Sequence, residues 1–181
     1  MNVALIGYRG TGKTTVAELV AAALGWSYRD ADAEVEAIAG KSIAAIFAAD
    51  GETTFRNLES AVVTELVKLD RAVLSLGGGV VIRRGNRDQL AKVGRVIWLN
   101  ADVDTLWKRI QGDAATAERR PALTSRAGPD EIRELLAERE KWYRECAHVE
   151  IDSAEKSPGT IAAEIVDYLH DADPTISLSS P

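Results

Sequence analysis

The densest grouping of chemistry-bearing residues is Gly7-Tyr8-Arg9-Gly10-Thr11-Gly12-Lys13-Thr14, with Thr15 directly behind it. It satisfies G-x-x-x-x-G-K-[ST] at every fixed position. Glycines let backbone N–H groups curl around phosphate oxygens, and a helix beginning at the loop adds unpaired donors and its positive dipole end. Gly10, Thr11, Gly12, Lys13, Thr14 and Thr15 are thus the expected phosphate contacts of a nucleotide. Lys13 is expected to reach the β/γ-phosphates, and the Thr14 hydroxyl to ligate Mg²⁺. The alternative is a glycine turn that joins a strand to a helix and binds nothing. A second group is Asp30-Ala31-Asp32, two carboxylates suited to metal and hydroxyl contacts. Asp32 could instead cap a helix over 33–39. A third is Gly77-Gly78-Gly79, a run that lets backbone approach a ligand closely.

Elements must hold these groups, and the hydrophobic pattern supplies them. Val3 to Ile6 is a short apolar run bounded by glycine, which reads as a buried strand. The helix after the loop carries Val16, Leu19, Val20 and Ala23 on one face. A short strand over 27–29 leads to the acidic pair, and a helix with Val35 and Ile38 stops at Gly40. Ile43, Ile46 and Phe47 form another apolar face, Asp50-Gly51 marks a turn, and Phe55, Leu58, Val62, Leu66 and Leu69 mark a helix over 52–69. Strands are expected over 72–76, 96–99 and 148–152, and helices over 87–93, 103–110, 129–147 and 160–170. Residues 111–128 are polar and aperiodic, the pattern of a functional loop, and 171–181 reads as a flexible tail. Alternation of strands and helices predicts an α/β fold of three layers. A central parallel sheet of about five strands would be covered on both faces. Ligands in such sheets bind beyond the carboxyl ends of the strands, where the glycine loop, the acidic pair and the triple glycine all fall.

The 181 residues suit one domain, here 1–170, and the 46% hydrophobic and 28% charged content is that of an ordinary globule. The net charge of −6 argues against a nucleic-acid surface, so positive groups meant for anions must be clustered locally. One cysteine, Cys146, excludes an internal disulfide and reads as packing. No apolar run is long enough to span a membrane, and a monomer in the cytoplasm is expected.

Further motifs, taken in order, resemble those of the shikimate kinase family over about residues 2–169. Asp30-Ala31-Asp32 with Glu36 is similar to D-T-D-x-x-I-E, with Ala31 and Val35 as departures. Gly40-Lys41-Ser42-Ile43 with Ile46-Phe47, and Gly51-Glu52 with Phe55-Arg56 and Glu59, match G-x-S-I-x-x-I-F and G-E-x-x-F-R-x-x-E. Leu76 precedes the family's triple glycine. Arg120-Pro121 with Leu123-Thr124 resembles the lid motif of the second bacterial isoform, and Arg139 with Tyr143 and Ala147 the helix after the lid.

The resemblance implies a nucleoside monophosphate kinase-like fold with a lid at about 111–128, and transfer of the ATP γ-phosphoryl group to the 3-hydroxyl of shikimate. It implies Thr14 and Asp30 as direct or water-mediated Mg²⁺ contacts, and Asp32 as the carboxylate that holds the accepting hydroxyl and takes its proton. Arg56 and Arg139 would clamp the shikimate carboxylate beside Gly77, Gly78 and Gly79; the alternative is two surface ion pairs. Arg120 would reach the transferring phosphate, Pro121 fixing that register over Arg119, and Arg109 would stack on adenine. Residues near 152–158 would complete the adenine pocket, with Glu155-Lys156 where the family often has a basic residue. Gluconate kinases, nucleoside monophosphate kinases and a non-catalytic nucleotide-binding module are the rival readings.

Overall fold

A computed structural model describes residues 1–112 and 128–176. Five parallel strands form the centre: β1 (Val3–Ile6), β2 (Ser27–Asp30), β3 (Ala72–Ser75), β4 (Arg95–Asn100) and β5 (Val149–Asp152), in the spatial order β2-β3-β1-β4-β5. Around them lie α1 (Lys13–Leu24), α2 (Ala31–Ala39), α3 (Ile43–Leu66), α4 (Arg84–Leu90), α5 (Val103–Gly112), α6 (Pro129–Cys146) and α7 (Pro158–Ala172). A 3₁₀ turn, Val80–Ile82, follows the triple glycine.

Strand periodicity explains the three layers. Side chains on β1 alternate, so Val3 and Leu5 enter the apolar cluster built with α1 and α7, while Ala4 and Ile6 enter the one beneath α2 and α3. Each fully buried Val, Leu or Ile contributes about 1.5–3 kcal/mol. The glycine loop thus hangs between two firmly packed elements. Because β1 has β3 on one side and β4 on the other, its carboxyl end opens into a crevice where the connections diverge.

Several local expectations need correction. The inward face of α1 is Val16, Ala17, Val20, Ala21 and Leu24, whereas Leu19 is 41% exposed. On α2, Ile38 likewise points outward. The break expected at Asp50-Gly51 is present: Gly51 (φ 80°, ψ 168°) is non-helical and kinks α3 between two helical segments, a conformation glycine adopts without the penalty of a Cβ. That helix ends at Leu66, leaving Leu69 beyond it and exposed. Gln111 and Gly112, expected in the loop, complete α5. At the other end, α7 runs to Ala172, and Ile176 packs into the α1–α7 cluster, its carbonyl 3.0 Å from His170 Nδ1. The described chain therefore stays on the body through Ile176. Cys146 ends α6; burial and then the charge of Glu145 push its thiol up to about 11, which keeps it protonated and suits a packing role. Arg119, Arg120, Pro121, Leu123 and Thr124 lie outside the described residues.

Candidate active site

A cavity of about 430 Å³ opens at the carboxyl ends of the strands. Its lining joins the glycine loop from Arg9 to Thr15, Asp30, Asp32 and Glu36, Ser75 to Gly78, Arg109, and Lys156 with Pro158. All three sequence groups meet there.

Local backbone chemistry shapes the loop. Gly12 (φ 86°, ψ 14°) is the left-handed N-cap of α1, so the unpaired first N–H groups of the helix open towards the loop. Thr11 Oγ1 donates to the Tyr8 carbonyl at 2.9 Å, and Lys13 Nζ donates to the same oxygen at 2.8 Å. Lys13 is only 9% exposed, so its ammonium lies within the cradle rather than in bulk solvent.

Asp30 joins two elements. It ends β2 and is also the N-cap of α2, its Oδ1 accepting from the N–H groups of Asp32 (2.9 Å) and Ala33 (3.2 Å). The cap considered for Asp32 thus belongs to Asp30, and Asp32 sits in the first turn, lining the cavity. Oδ2 of Asp30 accepts from Thr14 Oγ1 and from the Tyr28 hydroxyl, both at 3.2 Å. Burial, and next the Asp30 charge, hold the Tyr28 phenol above its ordinary pKa. Asp30 pairs in register with Ser75, whose Oγ is 3.5 Å from Thr14 Oγ1. The carboxylate beside the loop therefore comes from β2, one strand over from β3.

Thr14, Asp30, Asp32 and Ser75 offer only oxygen atoms, the donor set of a hard cation. No group of three or more His, Cys, Asp or Glu suited to a metal occurs among the described residues. That combination fits Mg²⁺, which takes one or two carboxylates and fills its shell with waters and substrate phosphates.

Beyond Gly78 lie two arginines, each 5% exposed. Arg56 donates from Nε to Glu52 at 3.1 Å and from Nη1 to Glu59 at 2.9 Å, and its guanidinium packs so closely on Gly79 that any Cβ there would overlap it. Arg139 Nη1 lies 3.5 Å from the Gly78 carbonyl, which also accepts from the Tyr143 hydroxyl at 2.5 Å. Both are too buried to be surface residues, although Arg56 is ion-paired, to Glu52 and Glu59. Neither arginine nor Gly79 lines the 430 Å³ cavity itself; they form the layer adjoining its Gly77–Gly78 wall.

At the opposite end, Arg109 is held by its edge. Nη2 donates to the carbonyls of Ser153 (2.6 Å) and Ala154 (3.0 Å), and Nη1 reaches the Gly10 carbonyl at 3.4 Å. Lys156 and Pro158 also line the cavity.

The sequence reading missed Ser75, Tyr28 and Arg9. Arg9 lines the cavity and pairs at 3.4 Å with Glu131, a buried residue in the first turn of α6. Tyr8 beside Arg9 is buried; desolvation raises its phenol, and the nearby charges of Arg9 and Arg139 oppose that. Tyr28 stands two residues before Asp30 on a strand, a same-face spacing that was available as a signal. Nothing in an unspecified loop position marked Arg9.

A model of the shikimate kinase family matches residues 9–170. The chain is 41% identical over 162 residues to a shikimate kinase of Rhodopirellula baltica, covering 90% of this chain and 87% of the other. It is 42% identical over 174 residues to one of Symbiobacterium thermophilum, covering 94% and 97%. Among solved structures, shikimate kinase from Acinetobacter baumannii in complex with shikimate superposes with a TM-score of 0.88 at 32% identity, over 95% of this chain and 94% of that one. A gluconokinase from Sinorhizobium meliloti reaches a TM-score of 0.55 at 16% identity, a likeness of fold alone.

Proposed function

The chain belongs to the shikimate kinase family and is an ATP-dependent kinase of shikimate, and from that premise we propose how its own residues divide the reaction. The observation that carries the proposal is the continuity of the site. The glycine loop and the Thr14–Asp30 pair line the cavity together with Ser75 to Gly78, and buried Arg139 and Arg56 lie against Gly78 and Gly79.

The loop N–H groups and Lys13 hold the β/γ-phosphates of ATP. Thr14 and Asp30 hold Mg²⁺, directly or through water, and a bound Mg²⁺ would offset charge on the phosphate oxygens. Asp32 orients the 3-hydroxyl of shikimate and accepts its proton as the γ-phosphoryl group moves in line. Arg56 and Arg139 grip the shikimate carboxylate, with Gly77, Gly78 and Gly79 giving the ring close access to backbone. Arg109, a planar cation held by its edge, stacks on adenine. Arg120 stabilises charge on the transferring group; its part rests on the Arg120-Pro121 motif alone. Little covalent work falls to the protein, so positioning and charge supply most of the rate. No described helix is long and apolar enough to cross a membrane. We read the protein as a cytoplasmic monomer acting on small molecules, its charge of −6 weighing against nucleic acid.

Arg139→Lys tests the acceptor side. Lysine keeps the charge but loses the planar fork that binds a carboxylate with two parallel N–H donors. Loss of one charge-assisted hydrogen bond, about 1.5–3 kcal/mol, raises the KM for shikimate about ten- to a hundredfold at about 1.4 kcal/mol per decade. The KM for ATP should hold, and steady-state kinetics with each substrate varied in turn separates the two. An unchanged shikimate KM removes Arg139 from the clamp.

Gly79→Ala should give the same signature without touching a charge. The new methyl meets the Arg56 guanidinium and displaces its fork. A shikimate KM raised about tenfold at constant ATP KM is expected. Equal rises in both constants would mean general distortion of the 77–79 run.

A further inference from the structure

We propose that Tyr28 is a positioning residue for phosphoryl transfer, its hydroxyl fixing the carboxylate of Asp30 against Thr14. The inference rests on the reading of Thr14 and Asp30 as the metal-side pair, and deepens it.

The argument starts from a strand. Residues two apart on β2 share a face, so Tyr28 and Asp30 project to the same side. Their hydroxyl-to-Oδ2 distance is 3.2 Å. Four protein donors lie within 2.9–3.2 Å of the Asp30 carboxylate oxygens. Two are the Asp32 and Ala33 N–H groups on Oδ1, and two are the hydroxyls of Thr14 and Tyr28 on Oδ2. Each donor removes a rotational alternative. The α2 cap alone fixes one oxygen, and the Tyr28 hydroxyl helps fix the direction of the other.

That direction matters for Thr14. Its hydroxyl has one proton and two lone pairs. While the proton goes to Asp30 Oδ2, both lone pairs remain for a cation and its waters. If Oδ2 turns away, the Thr14 hydroxyl is free to rotate and its proton can point into the metal position. The Tyr28 ring meanwhile packs against the α1–α7 apolar cluster, so a phenylalanine keeps the packing and removes only the donor. Asp30→Asn keeps a capping oxygen for α2 while removing the charge, so the helix survives that variant.

The experiment compares wild type, Tyr28→Phe, Asp30→Asn and the double variant. Mn²⁺ binding to the enzyme–ADP complex is read by electron paramagnetic resonance, beside steady-state kinetics with Mg²⁺, ATP and shikimate each varied. Tyr28→Phe should weaken Mn²⁺ binding about three- to tenfold, the scale of one hydrogen bond, and raise the Mg²⁺ half-saturation by the same factor. The shikimate KM should not move, and the melting temperature should fall only modestly, by the one hydrogen bond removed. In the Asp30→Asn background the second substitution should add nothing. If Asp30→Asn binds Mn²⁺ like wild type, the underlying metal-side reading falls. If Asp30→Asn is impaired and Tyr28→Phe is not, only the Tyr28 inference falls. A Tyr28→Phe loss that persists undiminished beside Asp30→Asn, or that equally raises the shikimate KM, also overturns it.

Discussion

Asp32→Asn is expected to lower kcat by about 10²–10⁴ while ATP binding stays near wild type, the range for removing a general base. Asparagine has the shape to hold a hydroxyl but cannot take its proton. The geometry makes this variant clean. Asp32 lies in the first turn of α2 and faces the cavity, whereas the α2 cap is carried by Asp30. The backbone N–H of Asp32, which donates to Asp30 Oδ1, is untouched by the change. The helix should therefore persist, with stability within about 0.5 kcal/mol of wild type. Titration of ATP by calorimetry beside turnover assays checks both halves. A kcat within a few-fold of wild type would leave Asp32 as an orienting group at most. Loss of ATP binding in step with kcat would move it to the metal side.

Lys13→Ala should abolish most turnover, by at least about 10²–10³, the cost of deleting one preorganised donor aimed at developing charge. Its effect on the fold is decided by what the ammonium touches. Lys13 is largely buried and donates to the Tyr8 carbonyl, so the loop loses a hydrogen bond as well as a phosphate contact. That carbonyl still accepts from Thr11 Oγ1 at 2.9 Å, so no buried acceptor is left orphaned. The expected loss is about 0.5–1.5 kcal/mol of stability, visible as a modest fall in melting temperature with circular dichroism unchanged. An active Lys13→Ala protein would reduce the loop to a turn.

Much of this site was legible because its signals are local. Strand, glycine loop and helix follow one another without interruption from Val3 to Leu24, so the phosphate cradle needed no knowledge of tertiary structure. The short motifs around Arg56 and Arg139 also named residues that the fold gathers behind one glycine run. What escaped was set by pairing between distant strands. Asp30 stands opposite Ser75 only because β2 and β3 align in that register, and no local pattern announces it. Leu19 and Ile38 misled for a different reason: each lies at a plausible helical spacing, but the true inward stripe is displaced by one residue on α1. At Gly51 the turn signal was real, and the non-helical glycine kinks α3 into two helical segments. Arg9 carries no signature of its own and only its neighbour Glu131 shows what it does, whereas Tyr28 had a usable but unspecific sign in its same-face spacing from Asp30.

Acceptor choice is the point at which every part of the account must act together, because the arginine side and the phosphate side have to meet across Gly77 and Gly78. ADP release measured with shikimate, gluconate and AMP as separate acceptors, at saturating MgATP, reads it directly. Saturable turnover with shikimate and only background release with the other two is the expected result. Comparable kcat/KM with gluconate or AMP would contradict the assignment of Arg56 and Arg139 to a shikimate clamp.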